Sequence, residues 1–115
     1  MKLIYIAGPY KAATPYETLC NILAARERAL DVWELGGAAL CPHSNTALFD
    51  GARGIPDATW YTGYAEMLLR CDAVYTVPGW ERSIGATEEI NLALRHAIPV
   101  LHTKSDLIAF LGAKE

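Results

Sequence analysis

The chain has 115 residues, 52% of them hydrophobic and 20% charged, with a formal net charge of -3 and a pI of about 5.6. That length allows one domain burying roughly two thirds of its unfolded surface, and residues 1–115 read as a single globular domain. The acidic balance argues against a surface for nucleic acid polymers, and no apolar run approaches the ~20 residues that cross a bilayer. Met1-Lys2 leads straight into an apolar run in place of a signal peptide, which points to a cytoplasmic protein. Cys20, Cys41 and Cys71 are odd in number and lack CxxC spacing, so they read as small buried thiols and not as a disulfide or metal framework.

Predicted strands and helices alternate. Leu3 to Ala7 (LIYIA) is a continuous apolar run, expected of a strand covered on both faces, and it stops at Gly8-Pro9. Thr14-Pro15-Tyr16-Glu17 then supplies a capping hydroxyl, a proline for the first helical position and a glutamate three residues after the cap. The predicted buried stripe of that helix is Leu19, Ile22, Leu23, Leu30 and Trp33, and Gly36-Gly37 ends it. Ala38 to Cys41 reads as a short second strand running into Pro42-His43. Ser44 to Ala58 lacks periodicity and carries Gly51, Gly54 and Pro56, so it reads as a long loop of the kind that often carries function. A helix is expected from about Thr59 to Cys71 and a strand over Ala73 to Val77. Another helix follows to about Ala97, then a strand over Ile98 to His102, and a last helix capped by Ser105.

Helical crossovers between strands require parallel pairing and right-handed connections. The predicted fold is therefore a small doubly wound α/β sheet of flavodoxin or Rossmann type, strand order 2-1-3-4, with helices on both faces. Ligands bind such sheets at the switch point beyond the strand carboxyl ends. Here that point lies between the first and third strands, which brings Gly8, Pro9 and Tyr10 beside Pro78 to Gly85, within the stretch Pro78 to Glu89 (PGWERSIGATEE).

That stretch places a loop, a capping serine, two glycines and, on the helix after the serine, the two carboxylates Glu88 and Glu89 after a strand. A helix N-terminus offers unpaired amides and about half a positive charge, so Ser83 and Gly85 can surround a phosphate without a lysine. Gly85 costs roughly 0.5–1 kcal/mol relative to alanine inside a first turn, which suggests close approach by a ligand. At about 100° per residue, the stripe Ala86, Ile90, Ala93, Leu94 and Ala97 leaves Glu88 facing water and Glu89 on the border of the buried face. A carboxylate one turn inside the helix, next to a bound phosphate, is a candidate nucleophile or general base.

Ala7-Gly8-Pro9-Tyr10, Cys71-Asp72-Ala73-Val74 and Pro78 to Ala86 followed by Glu89 and Ala93 resemble the nucleoside 2-deoxyribosyltransferase superfamily. The similarity is greatest to its small phage and prophage branch and to the 2′-deoxynucleoside 5′-monophosphate N-hydrolases. It implies that Glu89 attacks the anomeric carbon of a sugar, releases the base and leaves a glycosyl-enzyme ester. Serine at position 83 resembles the nucleotide hydrolases, whereas the transferases acting on free nucleosides carry an acidic residue there. The expected substrate is thus a nucleoside 5′-monophosphate, with no cofactor and no metal. Alternative readings are transfer between free nucleosides and a nucleotide-sensing module with weak chemistry. The superfamily usually has an aspartate where this chain has Tyr64, a poor acid with an unperturbed pKa near 10. The resemblance also implies a homodimer or higher homo-oligomer. Tyr10, Trp60 and Trp80 are candidates for stacking on a base, and His43 for a contact in the same cleft. Gly79 is expected in the phosphate-side loop.

Overall fold

In a computed structural model, which describes residues 1–113, Leu3–Ala7 forms β1 and pairs in parallel with Ala38–Leu40 (β2) on one side and Ala73–Thr76 (β3) on the other. Val100–Leu101 (β4) adds to β3, giving the predicted order β2-β1-β3-β4. The helices are Pro15–Glu34 (α1), Pro42–Asn45 (α2), Asp57–Leu68 (α3), Ile84–Arg95 (α4) and Lys104–Leu111 (α5), with short 3-10 turns at Ala52–Gly54 and Trp80–Arg82. None of the described helices is long and apolar enough to cross a membrane.

Alternation along β1 divides the core. Ile4 and Ile6 join Ala73, Tyr75 and Val77 beneath Ala25 and Val32 of α1 and Leu107 of α5. Tyr5 and Ala7 face the other way, with Val74, and meet Tyr64 and Leu68 of α3 and Ile90 and Ala93 of α4. Beyond the strand ends β1 and β3 stay very close: the Val77 amide donates to the Ala7 carbonyl at 2.8 Å. A Cβ on Gly8 would lie 2.5 Å from Val77 Cβ, so only glycine permits this turn.

Several elements depart from the sequence expectations. On α1 the sheet takes Ile22, Ala25 and Val32, while Leu19, Leu23, Leu30 and Trp33 of the expected stripe lie exposed, as does Cys20 against the expectation of buried thiols; Cys71 is buried and Cys41 half-buried. The helix has two apolar stripes, and the one with small and β-branched residues lets its backbone sit closer to the sheet. On α4 Ala86, Ile90 and Ala93 are buried as expected, but Leu94 is exposed and Ala97 lies past the helix in a left-handed turn with φ 56°. The expected loop after β2 begins with α2, whose Pro42 occupies the first helical position, and α3 starts at Asp57 because Pro56 serves as its cap. The last helix is capped by Thr103, not Ser105: Thr103 accepts from the Asp106 amide at 3.1 Å while the Asp106 carboxylate accepts from the Thr103 amide at 3.3 Å. Pro99 has no N–H for the ladder, though its carbonyl accepts from Val74 at 2.9 Å, and β4 is shortened to two residues.

Candidate active site

The switch point between β1 and β3 opens into a cavity of about 490 Å³, within the range that holds a nucleotide-sized ligand. Gly8, Pro9 and Tyr10 form one wall, Ser83, Gly85 and Glu89 another, and His43, Trp60 and Tyr64 the third. Of the residues expected in the cleft, only Gly79 and Trp80 do not line it.

Glu89 lies at the floor. Tyr5, from the centre of β1, donates its hydroxyl hydrogen to Glu89 Oε2. Burial pushes the Glu89 carboxyl up to about 7, against the opposing pull of the Tyr5 hydrogen bond and with a smaller push from Glu88. Burial likewise raises the Tyr5 phenol, with the Glu89 charge adding to it, so Tyr5 keeps its proton and remains a donor. Helical phase alone had separated the exposed Glu88 from Glu89; Tyr5 was missed. Its only trace in the sequence is a titratable hydroxyl amid the aliphatic run LIYIA.

Ser83 caps α4 by accepting from the Ala86 amide at 3.1 Å, which leaves its own hydroxyl hydrogen and the first free amides of the helix at the cavity. A Cβ on Gly85 would make only ordinary contact, 3.8 Å from Tyr61 Cε1, so nothing within the chain demands glycine there. Gly79 is required for another reason. It adopts φ 91°, and the Arg82 guanidinium packs where a side chain would project, 2.6 Å from an added Cβ.

On the third wall, His43 is buried and its Nε2 lies 3.1 Å from the Gly8 carbonyl and 2.8 Å from that of Pro9. Since both partners only accept, Nε2 carries the hydrogen, and burial holds the ring below its usual pKa and neutral. His43 therefore staples the Gly8-Pro9 turn. The Tyr10 ring meets it edge-on at 5.9 Å, and the Tyr10 hydroxyl accepts from the Leu48 amide at 2.8 Å. Tyr64 accepts from Asn45 Nδ2 at 2.9 Å and donates to Thr46 Oγ1 at 3.0 Å, while its ring meets Tyr5 edge-on at 6.5 Å. Trp60 packs edge-on against Phe49 at 6.0 Å with its ring nitrogen buried and unpaired. Trp80 turns away from the cleft and stacks on His102 at 5.5 Å, because the tight turn at Gly79 directs it to the hollow formed with Arg28 and Thr76. Across the mouth Lys11 Nζ pairs with Asp57 at 3.1 Å and Asp50 at 3.8 Å, an arrangement that follows no sequence spacing.

Fold and cleft together define a small doubly wound α/β protein with a half-buried carboxylate at its switch point. The family described as Domain of unknown function (DUF4406) matches residues 2–102, and the chain belongs to it. No curated protein matches the chain. Among solved structures it is similar to a 2-deoxyribosyltransferase from the psychrotolerant bacterium Bacillus psychrosaccharolyticus, at 18% identity and TM-score 0.62, over 85% of this chain and 69% of that one. That likeness establishes a shared fold.

Proposed function

We propose that the protein is an N-glycosidase acting on nucleoside 5′-monophosphates, with 2′-deoxynucleotides as the preferred class and Glu89 as the nucleophile. The observation that carries this reading is the Tyr5–Glu89 pair on the floor of a nucleotide-sized cleft, one turn inside a helix whose open N-terminus faces the same cavity. The 2-deoxyribosyltransferase fold supports the glycosyl-transfer class.

In this reading the 5′-phosphate sits against the Ser83 hydroxyl and the Gly85 amide, and the sugar lies over Glu89. A carboxylate oxygen of Glu89 bonds to the anomeric carbon as the carbon–nitrogen bond breaks, and the electron pair leaves with the base, which takes up a proton. Water then adds at the anomeric carbon, freeing the sugar phosphate and restoring the carboxylate. Tyr5 is a positioning residue that aims Glu89 and stabilises its charge. Tyr64 is assigned to the base: its hydroxyl, held by Asn45 and Thr46, keeps a lone pair to accept from a base N–H. Tyr10 and Trp60 flank the base, His43 holds the Gly8-Pro9 wall in place, and neither metal nor cofactor takes part. The domain works as a homo-oligomer.

The test is incubation with a panel of ribo- and deoxyribonucleoside monophosphates and free nucleosides, with released base read by chromatography. Base release from a monophosphate that disappears in Glu89→Gln is the expected result. No release from any substrate, or equal release by the variant, overturns the catalytic claim, and faster turnover of free nucleosides overturns the phosphate preference.

A further inference from the structure

The 3-10 turn Trp80–Arg82 sorts its side chains between two hollows. Trp80 and Glu81 line the one formed with Arg28, Thr76 and His102, whereas Arg82 lines the nucleotide-sized cleft next to Ser83. A cation is thereby turned toward the start of α4, and its neighbouring carboxylate away from it. Gly79 makes this arrangement possible, since the Arg82 guanidinium packs over it in the space that a side chain there would take.

The charge of the cleft shows why that cation matters for an anionic ligand. A 5′-phosphate carries about 1.5 to 2 negative charges at neutral pH. The cavity is already lined by Asp50, Asp57 and Glu89, and the only cationic side chains opposing them are Lys11 and Arg82. Lys11 is committed: its Nζ lies 3.1 Å from Asp57 and 3.8 Å from Asp50, so recruiting it to a phosphate would strand two carboxylates. Arg82 has no carboxylate within ion-pair distance among the described residues, so it gives up no partner when an anion binds. The half charge at a helix start does not by itself outweigh the acids of the cleft. A guanidinium does more, because its planar fork can hold two phosphate oxygens at once.

We propose that Arg82 is the phosphate-binding cation of the cleft and the residue that selects a nucleoside 5′-monophosphate over the free nucleoside. The assignment rests on the phosphate part of the glycosidase reading and not on any bond being broken in the cleft.

Calorimetry tests it in the Glu89→Gln background, where the nucleophile is removed, with deoxynucleoside 5′-monophosphates and the matching nucleosides as ligands. Adding Arg82→Gln should raise the monophosphate Kd about 10- to 30-fold, and Arg82→Lys, which keeps the charge but not the fork, should recover only part of that loss. Arg95→Gln makes the same change of charge at the far end of α4 and should leave the preference for monophosphate within about 2-fold. The same preference, read as the ratio of kcat/KM for base release in the otherwise wild-type chain, should fall in Arg82→Gln by a similar factor. An unchanged preference in Arg82→Gln, an equal loss in Arg95→Gln, or no monophosphate binding at all overturns the assignment. Binding that depends on Arg82 without base release by the wild type upholds it and overturns the glycosidase reading, whereas base release with a preference indifferent to Arg82 does the reverse.

Discussion

The two faces of the sheet each bring a tyrosine hydroxyl to a carboxylate, and the outcomes differ. On the α1 face Tyr75 donates to Asp31 Oδ2 at 2.9 Å and accepts from Arg28, while Arg28 and Lys104 sit 3.8 and 3.9 Å from the same carboxylate. The charge is balanced at the rim of the sheet, and burial pushes the Tyr75 phenol up to about 12. On the α4 face Tyr5 donates to Glu89, but no cation lies within ion-pair distance among the described residues, and the Glu89 carboxyl rises to about 7. A paired carboxylate stays charged at the rim of the sheet; one without a cation, desolvated beside a cavity, holds its proton more tightly.

The contrast can be broken in four ways. The largest effect belongs to Glu89→Gln, expected to lower base release on the order of 10³-fold or more, whereas Asp31→Asn should leave turnover within about 3-fold and act on the melting temperature. Next, Tyr5→Phe removes a hydrogen bond to a charged group and should lower kcat/KM about 10- to 100-fold. Because that bond pulls the Glu89 pKa down, the pH–rate midpoint should move upward from about 7. Tyr75→Phe should leave the profile in place and cost about 1 kcal/mol of stability.

Stability against pH gives a third, smaller effect. Glu89 binds its proton more tightly folded, near 7, than at its ordinary 4.5. Between those values the native state holds the extra proton, so stability is highest below the lower value and falls as pH rises through the window, by on the order of 2 kcal/mol. Urea midpoints at acid and mildly alkaline pH should show this slope in the wild type and its loss in Glu89→Gln. The smallest change is Gly85→Ala. With room for a Cβ, it should gain up to about 1 kcal/mol of stability while weakening monophosphate binding several-fold, read by thermal shift. Unchanged affinity would remove Gly85 from the phosphate cradle.

Much of the cleft was legible because its parts are local. Ser83 and Glu89 share one helix, so capping and helical phase were enough to place the exposed Glu88 away from Glu89. Strand order then put the Gly8-Pro9-Tyr10 turn opposite. Tyr5 and Thr46 were not assigned roles because each acts through a partner distant in sequence: Tyr5 meets a carboxylate 84 residues away, and the hydroxyl of Tyr64 is engaged by Asn45 and Thr46 at the end of α2, an element hidden at the start of an aperiodic loop. Trp80 failed as a base contact because the turn at Gly79 decides its direction, and composition does not record direction.

The amino-acid order by itself determined the alternation of strands and helices, the parallel sheet, the switch-point cleft and the phase of α4, since each rests on periodicity, capping or a connection rule. Tertiary structure decided which stripe of α1 faces the sheet and which faces outward. Both stripes have helical spacing, and only the fit of small side chains against β1 and β3 separates them. It also decided the state of Glu89, because desolvation and a strand's hydroxyl set a carboxyl's proton affinity, and neither exists until the chain has folded.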